Sequence, residues 1–280
     1  MVRAITIQTD VSEQTIEMIT GTYNFFDKAM RFSVTLRDAA VATIYPSGCR
    51  VCGDAIESWR DGVACSNCWR EIERKILTKD FCVKCSAPLR SLASSIEYVD
   101  RRCGLCDHFA FDFVRSCGPY EGAMRETVLG LKWRPYLPTR LRDGLRRTFD
   151  ALPESGLIES IIPVPLHPAR LAERGFNQAE VIARELVALT GLRLNSTAMN
   201  RVKKTERHRA GMGARERASS LENAFRVRAP RLVEGRVTLL VDDVMTTGST
   251  ANEIARALLD GGARAVNVLT LARAMNEFSH

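Results

Sequence analysis

Two adjacent carboxylates, Asp242 and Asp243, lie in VTLLVDDVMTTGST, the fourteen residues from Val237 to Thr250. An apolar strand, Val237 to Val241, delivers them into a short loop of hydroxyl side chains and one glycine, and a helix follows at once. In an α/β sheet, the carboxyl end of a strand feeding a helix N-terminus is where ligands bind. Free backbone N–H groups and the helix dipole favour an anion there, phosphate above all. Gly248 admits φ > 0 and close backbone approach, so the loop can curl around such a group. Thr250 and Glu253 have capping-box spacing, which predicts where the helix begins. Donors for a phosphate thus stand one turn from two acids suited to sugar hydroxyls or a metal-bound polyphosphate. The competing reading is an unoccupied turn whose acids only offset the helix dipole.

A second kind of chemistry is written in cysteine. Eight of the nine cysteines form four CxxC pairs: Cys49/Cys52, Cys65/Cys68, Cys82/Cys85 and Cys103/Cys106. Successive pairs are separated by 12, 13 and 17 residues. A CxxC turn aims two thiolates at one ion, and two such turns complete a tetrahedral Cys₄ site, so two structural zinc ions are expected. Sequential pairing lets each short loop close its own ribbon; a cross-braced scheme, first with third and second with fourth, keeps the same spacings. Closed sites leave no open coordination position, so the metal is not assigned to catalysis. Cys117, the ninth, reads as a small buried hydrophobe in a strand.

The elements that must position these groups follow from periodicity. The 280 residues suffice for two domains. Residues 1–44 read as an N-terminal segment with one amphipathic helix (Met30 to Ile44), 45–108 as a double zinc ribbon, and 109–280 as an α/β domain. Within that domain the pattern predicts a strand near Phe111 to Cys117, a helix near Ala123 to Trp133 and a buried strand from Leu157 to Val164. The PVPLHPAR stretch that follows reads as a loop, because its two X-Pro steps oppose helix. A helix is expected from Asn177 to Thr190, with Asn177 as N-cap and Glu180 completing a capping box, ended by Gly191. After the Asp242–Thr250 unit, Gly261 and Gly262 close a helix and Arg264 to Leu271 forms the last strand. Such alternation implies a mostly parallel sheet flanked by helices.

Charge is consistent with an anionic ligand or nucleic acid: the net charge is +7 and the pI about 9.1. Seven basic residues against two acids fall between Arg201 and Arg217. No apolar run reaches the roughly 18 to 20 residues that span a bilayer. The N-terminus has no long apolar stretch before a small-residue cleavage site. A cytoplasmic location without membrane insertion is therefore expected.

The Val237–Thr250 string resembles the phosphoribosyl-diphosphate (PRPP) loop of type I phosphoribosyltransferases. Together with the cysteine pairs, LKW at Leu131 to Trp133 and PVPLHPARLAERGFNQA at Pro163 to Ala179, the chain resembles the ComF family over about Pro46 to Ala274. That family joins a double zinc ribbon to a phosphoribosyltransferase domain, and some members are linked to DNA uptake. The resemblance implies that Asp242 and Asp243 hold the ribose hydroxyls and act in catalysis. Val244, Met245, Thr246, Thr247, Gly248, Ser249 and Thr250 complete the PRPP loop. It implies that Pro163, Val164, Pro165 and Leu166 approach the pyrophosphate, with Lys132, Arg170 and Arg174 as its cationic partners and Asn177 and Gln178 nearby. Mg²⁺ would accompany PRPP. The basic stretch from Arg201 to Ser220 reads either as a lid over the diphosphate or as a solvated loop. Purine-salvaging relatives carry an Asp where Thr246 stands, and a threonine cannot replace it as a base. Three functions follow: phosphoribosyl transfer to a nitrogen nucleophile, a nucleic-acid-binding module, and a non-catalytic PRPP scaffold. The implied partners are PRPP, an unassigned acceptor, and single-stranded DNA or competence proteins.

Overall fold

The computed structural model describes residues 47–78, 80–89, 102–103, 106–203, 221 and 223–274. The expected helix at Met30 to Ile44 and nearly all of the basic stretch from Arg201 to Ser220 lie outside the described residues.

Five parallel strands make the central sheet. In chain order β1 is Val114–Pro119, β2 Ser160–Pro163, β3 Arg193–Leu194, β6 Val237–Met245 and β7 Ala265–Arg273. Their spatial order is β1-β7-β6-β2-β3, and every adjacent pair runs parallel. A separate antiparallel pair joins β4 (Met199–Arg201) to β5 (Phe225–Val227). The helices are α1 (Ser66–Thr78), α2 (Gly122–Gly130), α3 (Thr139–Asp150), α4 (Pro168–Arg174), α5 (Gln178–Thr190) and α6 (Ser249–Asp260).

The long central strands β6 and β7 are buried on both faces, which is why they read as nearly continuous apolar runs. Alternate side chains feed two cores. Ile161, Leu239, Val241, Leu269 and Leu271 point to one, shared with α2, α3 and α5. Ile162, Leu240 and Val268 point to the other, shared with α6 and the β4–β5 pair. The sheet divides the cysteine ribbons in the same way: Cys49 and Cys65 join the first core, whereas Cys82, Cys85 and Cys106 join the second.

Local chemistry explains most boundaries. Asn177 caps α5, its Oδ1 accepting from Ala179 N at 3.1 Å, and Gly191 ends it at φ +74°. The capping-box partners form elsewhere: Glu180 pairs with Arg184, and Glu253 accepts from Asn223 N. Gly248, not Thr250, is the N-cap of α6. The PVPLHPAR stretch also departs from its loop reading. Pro168 occupies the first turn of α4, where its missing N–H costs nothing, and His167 caps the helix. Helices α1 and α3 have no counterpart in the sequence reading. In α1, Trp69 and Ile72 turn one face into the first core while Arg70, Glu71, Glu73 and Arg74 stay exposed.

Candidate functional site

The sheet order places a topological switch between β2 and β6. From β2 the chain winds outward through α5 to β3, whereas from β6 it winds the opposite way through α6 to β7. A crevice must open between the carboxyl ends of these two strands. A cavity of about 740 Å³ lies there, bordered by Asp242, Asp243 and Thr250 on the β6 side and by Val164, Pro165 and Leu166 on the β2 side.

Its four cations come from three separate elements. Lys132 leaves the turn after α2, where Trp133 and Arg134 N–H groups both donate to the Gly130 carbonyl. Arg170 and Arg174 stand four apart on α4 and so share a face. Arg201 ends β4, its guanidinium 5.3 Å from the Phe225 ring centre. The sequence reading treats Arg201 as one charge of a basic stretch; the structure makes it a wall of the cavity. Asn177 also borders the cavity, but its amide is committed: Nδ2 donates to the Val164 carbonyl at 2.9 Å while Oδ1 caps α5. It fixes the β2 loop to the start of α5. Gln178, 3% exposed, has an Nε2 with no hydrogen-bond partner among the described residues. Trp133, missed as a site residue by itself, stands at the border 83% exposed.

The two acids feel this surrounding. Burial pushes the Asp242 carboxyl well above the usual carboxylate range, and the neighbouring Asp243 adds to the rise while Arg201 opposes it. Burial also raises Asp243, against the pull of Lys132 and Arg174. Buried acids side by side are costly to ionise together unless a cation joins them. Burial lowers the Arg201 guanidinium, and Arg170 adds to this, so cations on the facing wall are crowded as well. The crevice is thus strained electrostatically in both signs, as expected of a site shaped for a charged ligand.

The remaining loop residues hold the loop itself. Gly248 lies at φ +87°, and a Cβ there would meet Met245 Cε at 2.8 Å and Phe109 at 3.0 Å. Met245 is buried beneath the loop, and Thr247 Oγ1 bonds Ser249 Oγ at 2.9 Å. The Thr246 carbonyl accepts from an Arg273 NH group at 2.7 Å. Pro163, at the end of β2, is buried and paired with Val241. None of Pro163 and the residues from Val244 to Ser249 borders the cavity; only Thr250 of the loop's second half does.

The eight paired cysteines form two clusters, Cys49/Cys52/Cys65/Cys68 and Cys82/Cys85/Cys103/Cys106, so the pairing is sequential. None of them is in a disulfide. In the first cluster, Cys49 and Cys68 sulfurs are 3.8 Å apart and Cys52 and Cys65 3.6 Å. In the second, the separations are 3.5 to 3.6 Å. A tetrahedron of thiolates about 2.3 Å from zinc has edges of about 3.8 Å, so both clusters fit the ion. Cys117 accepts from Thr148 Oγ1 on α3, and burial raises its thiol to about 11.

No described helix is long and apolar enough to cross a membrane. Residues 171–277 match the phosphoribosyl transferase domain model, and residues 40–108 match the double zinc ribbon domain model. Competence protein F of Haemophilus influenzae is 31% identical over 75% of this chain and 90% of its own length. Competence protein ComFC of Bacillus subtilis is 28% identical over 76% of this chain and 85% of its own. DNA utilization protein YhgH of Escherichia coli is 42% identical over 42% of this chain, a match spanning about half (51%) of that relative. A double zinc ribbon, a phosphoribosyltransferase-type sheet and near full-length similarity to Competence protein F together mean that the chain belongs to the ComF family.

Proposed function

We propose that the cavity between β2 and β6 binds PRPP with Mg²⁺ and that the protein transfers the phosphoribosyl group to a nitrogen nucleophile. The observation that carries this reading is the gathering of Asp242 and Asp243 with Lys132, Arg170, Arg174 and Arg201 around one cavity at the sheet's switch point. The acids would take the ribose hydroxyls, and residues Thr246 to Thr250 the 5′-phosphate at the start of α6. The diphosphate would face the Val164–Leu166 loop and the cations of α4. The oxygen donors of the acid pair suit Mg²⁺, which supplies charge neutralisation with the substrate's own phosphates. In the reaction the nucleophile's nitrogen bonds to C1 as the C1–O bond to pyrophosphate breaks. Arg170, Arg174 and Lys132 offset the charge on the leaving group, and the acids offset positive charge developing on the ribose.

Calorimetric titration with PRPP, with and without Mg²⁺, tests the site. Mg²⁺-dependent binding is expected, weakened by at least about tenfold in Asp243→Asn, with zinc content and melting behaviour retained. Unchanged affinity in that variant would place the site elsewhere. A second reading keeps the ligand without the chemistry: a PRPP-binding scaffold in DNA uptake or DNA utilization. The names of the relatives and the exposed Trp133 beside the cationic cavity support it. Pyrophosphate release in the presence of nitrogenous acceptors separates the two. The domain division at residues 44 and 108, and cytoplasmic location, belong to the same proposal.

A further inference from the structure

Two carboxamides stand side by side at the start of α5 and are used differently. Asn177 commits both ends of its amide to the fold, Nδ2 to the Val164 carbonyl and Oδ1 to Ala179 N. Gln178, next in the chain, is 3% exposed, and its Nε2 has no hydrogen-bond partner among the described residues. Yet Gln178 borders the cavity between β2 and β6. A buried amide donor left unpaired is costly, and a native structure keeps one where something else completes it.

The backbone repeats the pattern. Gln178 is the first residue of a helix of 13 residues, and the first N–H groups of a helix have no partner within it. The Asn177 side chain takes Ala179 N, and the Asn177 carbonyl takes Glu180 N and Val181 N, each at 3.1 Å. Gln178 N is left without an acceptor among the described residues. One residue of the cavity wall thus holds two uncommitted donors at the positive end of a helix dipole.

The surrounding charge defines the atom they would receive. Arg170 and Arg174, on the helix just before α5, border the same cavity. So does the Val164–Leu166 loop, which Asn177 ties to the start of α5. Amide donors, a helix N-terminus and two guanidinium groups together suit an anion with several oxygens, of the phosphate class. The carboxamide is planar, and a half-turn about its last bond exchanges nitrogen for oxygen within the same volume, so the donor can turn to a ligand.

We infer that Gln178 is a ligand-binding residue: its backbone N–H and carboxamide, with Arg170 and Arg174, form a subsite for a diphosphate oxygen at the start of α5. The inference deepens the PRPP reading and rests on it for the compound that brings the diphosphate, not for the anion subsite.

The probe is inorganic pyrophosphate with Mg²⁺, titrated into the zinc-loaded full chain. In wild-type protein the backbone and Nε2 amide resonances of Gln178 are expected to shift on titration. Gln178→Met keeps the length of the side chain and removes the donor. Its pyrophosphate affinity should fall by about tenfold, as loss of a hydrogen bond to a charged group allows. Its melting temperature without ligand should equal or exceed that of wild type, because an unpaired buried donor is gone. A lower melting temperature with unchanged affinity would mark the amide as structural and overturn the subsite. Unmoved Gln178 resonances, or no pyrophosphate binding by wild type, overturn it whether or not the Met variant folds. PRPP titration separates the two readings. Pyrophosphate bound through Gln178 without PRPP binding keeps the subsite and sinks the PRPP reading. PRPP and pyrophosphate affinities both unchanged in the Met variant keep that reading and remove the subsite.

Discussion

The two cysteine clusters share one spacing rule and are put to different uses by the fold. The first is the more open: Cys52 is exposed, and the ribbon reaches the sheet domain through α1. Trp69 and Ile72 enter the core beneath α2 and α3, Trp69 Nε1 donates to the Asp61 carbonyl at 2.8 Å, and Arg140 of α3 reaches back to Asp61 at 2.7 Å and to Glu73 at 2.8 Å. That ribbon supports the helix whose following turn carries Lys132. The second is the more buried and lies against the sheet edge: Val114 N donates to the Lys84 carbonyl and Ser86 Oγ to the Val114 carbonyl, both at 2.7 Å. It reaches the loop before α6, where Phe109, three residues beyond Cys106, packs at Gly248 and Ala110 N donates to Asn252 Oδ1. Two sets of four cysteines thus brace different elements, the first α2 and α3 and the second β1 and the loop before α6, and their difference lies in what each is packed against.

Removing a thiolate from each centre should split them most widely. Cys85→Ser is expected to leave about one zinc per chain by elemental analysis and to loosen the loop at residues 246–250. Cys52→Ser should leave a similar zinc count with that loop's hydrogen exchange unchanged. Equal loosening in both would erase the distinction. Trp69→Ala should come next, costing about 3–5 kcal/mol in urea unfolding through the cavity it opens in the first core, with loop exchange again unaffected. Arg140→Met should cost about 2 kcal/mol, since it strips the nearly buried Asp61 of its charged partner; a zero cost would mean the ribbon is anchored by Trp69 and Ile72 alone.

The smallest effect has the opposite sign and concerns the crevice itself. The Asp242 carboxyl is raised on folding, so its ionisation destabilises the native state. That penalty is absent below the unfolded pKa, about 3.9, and grows as pH rises toward the higher folded value. Without ligand, Asp242→Asn should therefore melt higher than wild type at pH 7, by the amount of about 1 kcal/mol common where a strained site is relieved. The gap should narrow as the pH approaches 4. A lower melting point at pH 7 would mean that the acid pair is already neutralised by the cations opposite.

Legibility in the sequence follows range. The Asp-Asp pair, its strand and the following helix were readable because strand, acids and glycine are adjacent in the chain; the strand's end was not, since pairing with β7 carries it on to Met245 and leaves both acids inside the strand rather than in the loop. The CxxC turns were readable for the same reason, and the described clusters pair in the sequential order that short loops favour. The helix at Pro168 was not, because an X-Pro step reads as a break until Pro proves to be the first helical residue. The capping boxes failed where Glu180 and Glu253 found other partners, a competition that spacing does not encode. Arg201 was visible only as one charge in a basic run.

By itself, then, the sequence determined which polar groups stand together: two acids ahead of a glycine-bearing loop, and eight thiols in four turns, since each unit is built within a few residues of chain. Only the tertiary structure decided which charges meet. The strand order β1-β7-β6-β2-β3 brings Lys132, Arg170, Arg174 and Arg201 to the acids, and puts Arg273 against the Thr246 carbonyl. A buried charge takes its partner from whatever the sheet packs beside it, and that neighbour can lie far along the chain, as Lys132 does from Asp243.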